Sequence, residues 1–537
     1  MCRGLLSTST SKHGNAPVAE AERSRDDCLD PNLTVSIPPL APSTAVPLSQ
    51  TLLSLSIEQD RWPEWVGVGS PNTFFLNALD NIAQLAGEPP RIRIGADSED
   101  HTNFSPDVQI SEAQFPSFTT DTPYPEAANI IASQDYYNLV SLLPSGTKVI
   151  WGVNLGGGNL TALGLGATAI GVAFQSQAVN NAGVSLQAIE VGNEPDLYAK
   201  HGLRAQTFTI KQYVQQWTLF AKNALAMVNK ELGSAVPLQA LSFAKSTHQP
   251  TGFSPQSAFQ NGLLNSPVGK GVQWVSQHHY SGSFCSGSDA LLQNLMTKNN
   301  IRSNLTAFLP DIAAVQANGL SYVLGETNSF ACHGAPGVSD TAGAALWALD
   351  YTMFAAQIGI ERLYFHHGIG YKYNFIQPVT LTRSTLDGQS LGSPFPPHIQ
   401  PAYYAAIIAA EAISNSGATT AVQLNISNDF MTGYAFYEGG QLARALLINL
   451  KAYTSDSTTP REAVLVSLTF GEPISSTTMT VKRLSVPYAD STAGLTWGGQ
   501  TYETGDARIS GGLSTETASV SDGVTLSDTE VVMLTFD

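Results

Sequence analysis

From Thr51 onward, short apolar runs rich in β-branched residues alternate with stretches of helical spacing. The runs that read as strands are Leu53–Glu58, Arg91–Ala96, Lys148–Asn154 and Ala188–Glu194, then Leu238–Ala244, Val272–Tyr280, Tyr322–Glu326 and Arg362–His367. Between them, Ile210–Leu232 and Thr341–Ile358 carry helical patterns, the second packed with small apolar residues. Strands alternating with helices predict βαβ units and a parallel sheet. Eight such units close as a (β/α)8 barrel, an α/β fold. After one more helix at Pro401–Ala412 the period drops to two. Val422–Ile426, Met431–Glu438, Leu442–Leu450, Glu462–Phe470, Thr478–Val486 and Val531–Phe536 read as strands of an antiparallel β-sandwich. Thr34–Ile37 is expected to join that sandwich. The expected organisation is residues 1–33 disordered or a mispredicted start, 34–50 a strand and Pro-rich linker, 51–400 the barrel and 401–537 the sandwich.

A chain of 537 residues, 43% hydrophobic and only 13% charged, can bury a large core. Its net charge of −17, with 26 Lys and Arg, excludes nucleic acid, whose phosphates need a basic face. No apolar run reaches the roughly 18 residues of a membrane span. A monomer is expected. Among four cysteines, Cys285 and Cys332 can pair across the barrel top, the alternative being two buried free thiols. Sequons at Asn32, Asn159, Asn304 and Asn425 are glycosylation candidates, and Pro106 weakens a fifth at Asn103. Met1–Gly14 has no apolar signal core, which implies an intracellular protein or a wrongly assigned start.

The chemistry lies at the predicted C-terminal strand ends, where barrel active sites form. Glu194 is expected to end strand four, on the corner GNEP, and Glu326 to end strand seven. Two carboxyls about 5–5.5 Å apart suit retaining glycoside hydrolysis, one as nucleophile and one as acid/base. Asn193 is placed to bind a sugar 2-OH. Glu190, inside strand four, is expected to be a buried partner of Arg93. Tyr280, closing strand six, can donate to Glu326 and hold it ionised. His278 and His279 are adjacent on a strand and point to opposite faces, so they cannot share a metal, and neither metal nor cofactor is expected. Glu58 ends strand one, and Asp97 follows strand two. Gly368–Lys372 follows strand eight; its glycines are expected to expose backbone N–H groups, with Tyr371 and Lys372 as further donors to a carboxylate-bearing sugar. Ser-His-Asp nucleophilic chemistry is not expected, and no phosphate-binding loop occurs.

The motifs GNEPD, HHY, LGETNSFACHGAPGVSD and FHHGIGYKYNFIQP, with GYAFYEGGQLARALLINL in the sandwich, resemble glycoside hydrolase family 79. This is the β-glucuronidase and heparanase family of clan A, and the likeness is to its fungal secreted β-glucuronidases. The resemblance runs from about residue 34 to the C-terminus. It implies Glu194 as acid/base, Glu326 as nucleophile and Asn193 as the 2-OH ligand. It further implies Tyr280 beside the nucleophile, Glu58 on sugar hydroxyls, and Gly370 with Tyr371 in the loop that binds the glucuronate carboxylate. Asp97 departs from the family, which often has Gly-Gly followed by Ser, Thr or Asn where this chain has Gly95-Ala96-Asp97. The implied activity is a retaining exo-β-glucuronidase acting extracellularly on terminal glucuronate, with or without a 4-O-methyl group. Alternatives are a heparanase-like endo-enzyme, disfavoured by the acidic chain, a clan A glycosidase on neutral sugars, and a silent carbohydrate-binding protein.

Overall fold

The computed structural model describes residues 32–285, 291–472 and 476–536. Expectations for residues 1–31, including Cys2 and Cys28, lie outside them. Eight parallel strands close a barrel: β1 (Leu53–Glu58), β2 (Ile92–Gly95), β3 (Lys148–Val153), β4 (Ser185–Val191), β5 (Leu238–Phe243), β6 (Val272–Ser283), β7 (Ser321–Ala331) and β8 (Ile360–His367). Both faces of β1 are buried, and its alternation sorts them. Leu53, Leu55 and Ile57 pack into the main core, while Ser56 and Glu58 face the barrel interior. Inside, Ile150, Ala188, Val323 and Tyr364 form an apolar cluster on the N-terminal side. Toward the C-terminal side the interior turns polar, with Arg93, Glu190 and Gln239 buried.

Two strands depart from the expected bounds. β4 stops at Val191, so Glu194 stands on a turn beyond it. β6 and β7 run on past the rim, paired from His278↔Glu326 to Ser283↔Ala331. Glu326 therefore lies inside β7, not at its end. A two-stranded ribbon can rise above a barrel because each strand satisfies the other's backbone groups. A disulfide between Cys285 and Cys332 staples the ribbon's tip.

The helix Ile210–Leu232 begins with a Thr209/Gln212 capping box and ends at the left-handed Gly233. Its Tyr213, Trp217 and Phe220 turn inward. Ala342–Gln357 is buried almost all round, because it lies between barrel and sandwich. Its Asp350 accepts both Arg302 nitrogens and the Tyr434 hydroxyl from the sandwich side.

In the sandwich, the larger sheet runs Val46–Pro47, Thr420–Gln423, Met431–Glu438, Gln441–Asn449, Glu530–Phe536, Thr478–Ser485 and Thr496–Trp497. The smaller contains Asn32–Ser36, Ala463–Thr469 and Val524–Ser527. Asn32–Ser36 pairs in parallel with Ala463–Thr469, so the sandwich is not wholly antiparallel. That pairing covers an edge that would otherwise stay open. Val35, Ile37, Tyr437, Leu447 and Leu534 share the sandwich core. Among the described residues, no helix is long and apolar enough to cross a membrane.

Candidate active site

Glu194 sits in a left-handed backbone conformation, φ 48° and ψ 49°, directly before Pro195. Its N–H donates to Ser242 O at 2.9 Å. Asp196, two residues on, accepts the backbone N–H groups of Ala244 and Lys245 at 2.9 and 3.0 Å. Burial, reinforced by Glu194, pushes the Asp196 carboxyl up to about 7. Asn193 is buried; its N–H donates to Asp100, and its Oδ1 accepts from Arg93 at 2.9 Å.

Glu326 reaches the same space through a bulge. Gln277 pairs with Leu324 and His278 with Glu326, leaving Gly325 as the extra residue. A Cβ on Gly325 would lie 2.0 Å from Ser276 Oγ, so the approach of β6 and β7 requires glycine there. Tyr280 donates to Glu326 Oε1 at 2.8 Å, and Arg93 donates to Oε2 at 2.9 Å. Burial by itself would raise the Glu326 carboxyl. His366, His278 and Arg93, with the Tyr280 hydrogen bond, instead hold it down at about 2. His278 Nδ1 lies 2.9 Å from Glu194 Oε1 and 3.9 Å from Glu326 Oε2. Ligand atoms of Glu194, His278 and Glu326 all fall within 4.8 Å of one another. Three such atoms could approach a cation, but Arg93 on Glu326 already supplies positive charge. Glu194 is the more open carboxylate, 20% exposed against 8% for Glu326.

Glu58 accepts the Ser98 backbone N–H at 3.1 Å and the Ser98 hydroxyl, and lies 3.3 Å from His366 Nε2. Burial, then Glu126 and Glu326, push its carboxyl well above the usual range. Asp97 opens the short helical turn after β2, half exposed, 3.9 Å from His101. Tyr371 is buried and stacks on His333 with ring centroids 3.7 Å apart. His333 Nε2 is 2.5 Å from Glu126, a residue of the long segment between β2 and β3. His333, helped by a Tyr371 hydrogen bond, draws the Glu126 carboxyl down to about 2 against the effect of burial.

The expectation of free N–H groups in the loop after β8 is corrected. The Gly368 N–H donates to Asn374 Oδ1 and the Gly370 N–H to Gln377 Oε1. The loop folds on its own side chains, and Tyr124 presses on Gly370 where a Cβ would stand. The Lys372 side chain is also buried, away from solvent.

Glu190 is fully buried, accepting Arg93 Nε at 2.6 Å and Ser242 Oγ at 2.5 Å. His279 points away from the site, against Tyr351 and Phe308. Cys285 and Cys332 are joined. Asn32, Asn159 and Asn425 are exposed, with Asn159 capping the helix Leu160–Gln175, and Asn304 is half-buried.

Sequence reasoning assigned no site role to His278, His366, Glu126, His333 or Asp100. His278 and Tyr280 are two apart on one strand, and His366 shares the parity of Tyr364, so period-two spacing could have found both. Glu126, in a Pro-rich loop, carries no such signal.

Residues 433–533 match the model of the glycosyl hydrolase family 79 C-terminal beta domain. A β-glucuronidase of Aspergillus niger is 28% identical over 512 residues, covering 90% of this chain and 88% of the relative. A β-glucuronidase of Neurospora crassa is 27% identical over 502 residues, 87% of each chain. Among solved structures, a 4-O-α-L-rhamnosyl-β-D-glucuronidase of Fusarium oxysporum superposes with a TM-score of 0.74 at 26% identity, covering 94% of this chain and 100% of that one. A family 51 α-L-arabinofuranosidase of Bifidobacterium longum, 14% identical with a TM-score of 0.58, shares the fold.

Proposed function

We propose that the chain is a retaining exo-β-glucuronidase of glycoside hydrolase family 79. The observation that carries the mechanism is the approach of Glu194 and Glu326, one carboxylate oxygen of each lying within 4.8 Å of the other. Retention needs carboxyls about 5–5.5 Å apart, while inversion needs about 6.5–9.5 Å to admit water between them. Their surroundings divide the roles. Glu326, held ionised by Arg93, Tyr280 and two imidazoles, attacks the anomeric carbon. Glu194, on the more open side, protonates the leaving oxygen and then deprotonates the water that releases the sugar. Asn193, Glu58, Asp97 and Tyr371 bind the glycone. Gly370 shapes the loop carrying Tyr371, since its own N–H is occupied. The two fungal relatives and the Fusarium structure, glucuronidases by name, support glucuronate as that glycone.

The disulfide and the exposed sequons at Asn32, Asn159 and Asn425 support a secreted glycoprotein. One observation favours a neutral sugar instead: Glu58, Asp97 and Glu126 act on one another electrostatically at the same mouth, which disfavours an anion.

Proton NMR of aryl β-D-glucuronide hydrolysis tests the reading, with aryl β-glucoside and β-xyloside in parallel. β-Glucuronate formed first, and at least about a thousandfold loss of kcat in Glu326→Ala, are expected. Initial α-glucuronate, or near-normal turnover by Glu326→Ala, would reject the mechanism. Turnover of neutral glycosides alone would reject the sugar assignment.

A further inference from the structure

Asp100 lies in the turn after β2 and touches neither Glu194 nor Glu326. It is 5% exposed, and each of its oxygens accepts two hydrogen bonds. Oδ1 takes the backbone N–H groups of Leu155 and Gly156, at 2.9 and 2.7 Å. Oδ2 takes the Asn193 N–H at 3.1 Å and the Tyr198 hydroxyl at 2.6 Å. Four donors occupy the four lone-pair sites of a carboxylate, so the group is saturated without a cation. The geometry around it is built for close approach. A Cβ on Gly156 would lie 2.7 Å from the Asp100 Cβ, and one on Gly192 would lie 2.5 Å from the Tyr198 hydroxyl. The carboxylate thereby ties the loops after β2 and β3 to the corner after β4.

That corner needs tying. Glu194 is a non-glycine residue held in the left-handed region, which sterics disfavour for any side chain with a Cβ. Downstream, Asp196 is anchored by the Ala244 and Lys245 amides of the β5 end. Upstream, the neighbour of Glu194 is anchored by Asp100. With both flanks held, Glu194 cannot relax to a right-handed turn that would swing its carboxyl away from His278 and Glu326.

We propose that Asp100 is a positioning residue for the acid/base: by accepting the Asn193 N–H it locks the left-handed corner that aims Glu194 at the leaving-group oxygen. This rests on the two-carboxylate reading above. A positioning role makes a prediction that plain structural support does not. Protonation of the leaving group matters most when that group is a poor one, so a misaimed acid is felt by phenyl glycosides and scarcely by dinitrophenyl glycosides.

The experiment compares kcat/KM for aryl β-D-glucuronides from 2,4-dinitrophenyl to phenyl in the full-length wild type, Asp100→Asn, Tyr198→Phe and Glu194→Ala. In Asp100→Asn the amide oxygen can still take the Leu155 and Gly156 donors, while its NH2 faces the Asn193 N–H. The expected result is a loss at least about tenfold greater on the phenyl than on the dinitrophenyl substrate. Tyr198→Phe, which removes one donor from the same oxygen, should show a smaller loss of the same pattern. Glu194→Ala calibrates the full effect. Equal losses across the series, or no loss, would overturn the proposal. If Asp100→Asn does not fold, Tyr198→Phe decides by the same criterion. If the wild type cleaves only neutral glycosides, the sugar assignment has failed, and the same series on that glycoside still decides the role of Asp100.

Discussion

Arg93 donates to Glu326 Oε2 at 2.9 Å from inside the barrel, and the same guanidinium holds Glu190, Ser56 and Asn193. One planar fork thus connects the proposed nucleophile, the proposed 2-OH ligand and a fully buried carboxylate. Arg93→Ala would leave Glu190 unpaired in the interior, and a loss of about 3–5 kcal/mol in denaturant unfolding is expected. Arg93→Lys keeps the charge but not the fork. It should fold and lose about a hundredfold in kcat, read by steady-state kinetics.

Tyr280 touches only one of the carboxylates, donating to Glu326 Oε1 at 2.8 Å. Burial raises the Glu326 carboxyl, and His366, His278, Arg93 and this hydrogen bond bring it to about 2. A nucleophile must be ionised, so activity fails as the pH falls through its value. Tyr280→Phe removes a bond to the charged form and should move the acid limb of kcat/KM upward by about one unit. An unmoved limb would show that another group sets it.

His367, next along β8 from His366, is fully buried and bound as a neutral ring. Its Nδ1 donates to Phe365 O at 2.8 Å and its Nε2 accepts the Phe375 N–H at 3.0 Å. Burial pushes it down to about 3 from the ordinary 6.5. Between those values the unfolded chain binds a proton that the folded protein refuses, so this group's stabilising effect is present above pH 6.5 and declines as the pH falls toward 3. The slope is about 1.4 kcal/mol per pH unit. His367→Gln should be less stable than wild type at pH 7, with the gap narrowing by that slope below pH 6.5. Thermal unfolding across pH 4–7 measures it.

The Cys285–Cys332 bond closes a loop with a sequence separation of 47 and ties the tip of the β6–β7 ribbon. Replacing both cysteines by serine should cost about 4 kcal/mol on chain-entropy grounds. Cys332 precedes His333, which stacks on Tyr371. A rise in KM exceeding any fall in kcat is therefore expected, and substrate titrations of the paired variant will read it.

Much of this protein is legible in the chain itself. Two strand predictions, Leu53–Glu58 and Met431–Glu438, coincide with the observed bounds, because the first alternates cleanly and each ends at an acidic residue after an apolar run. Glu194 and Glu326 stood out because a polar corner or a Glu after an apolar run is a local feature. The Arg93–Glu190 pair was also readable, from charges inside a buried strand. Tertiary structure alone decided the rest. The bulge at Gly325 that turns Glu326 inward depends on how β7 registers against β6. The Glu126–His333–Tyr371 cluster joins three segments far apart in sequence. The loop after β8 keeps its glycine N–H groups for Asn374 and Gln377, though the glycines themselves suggested free donors. Periodicity and charge are local properties and travel with the sequence. Register, and which partner takes a given N–H, are settled by competition among groups that meet only once the barrel has closed.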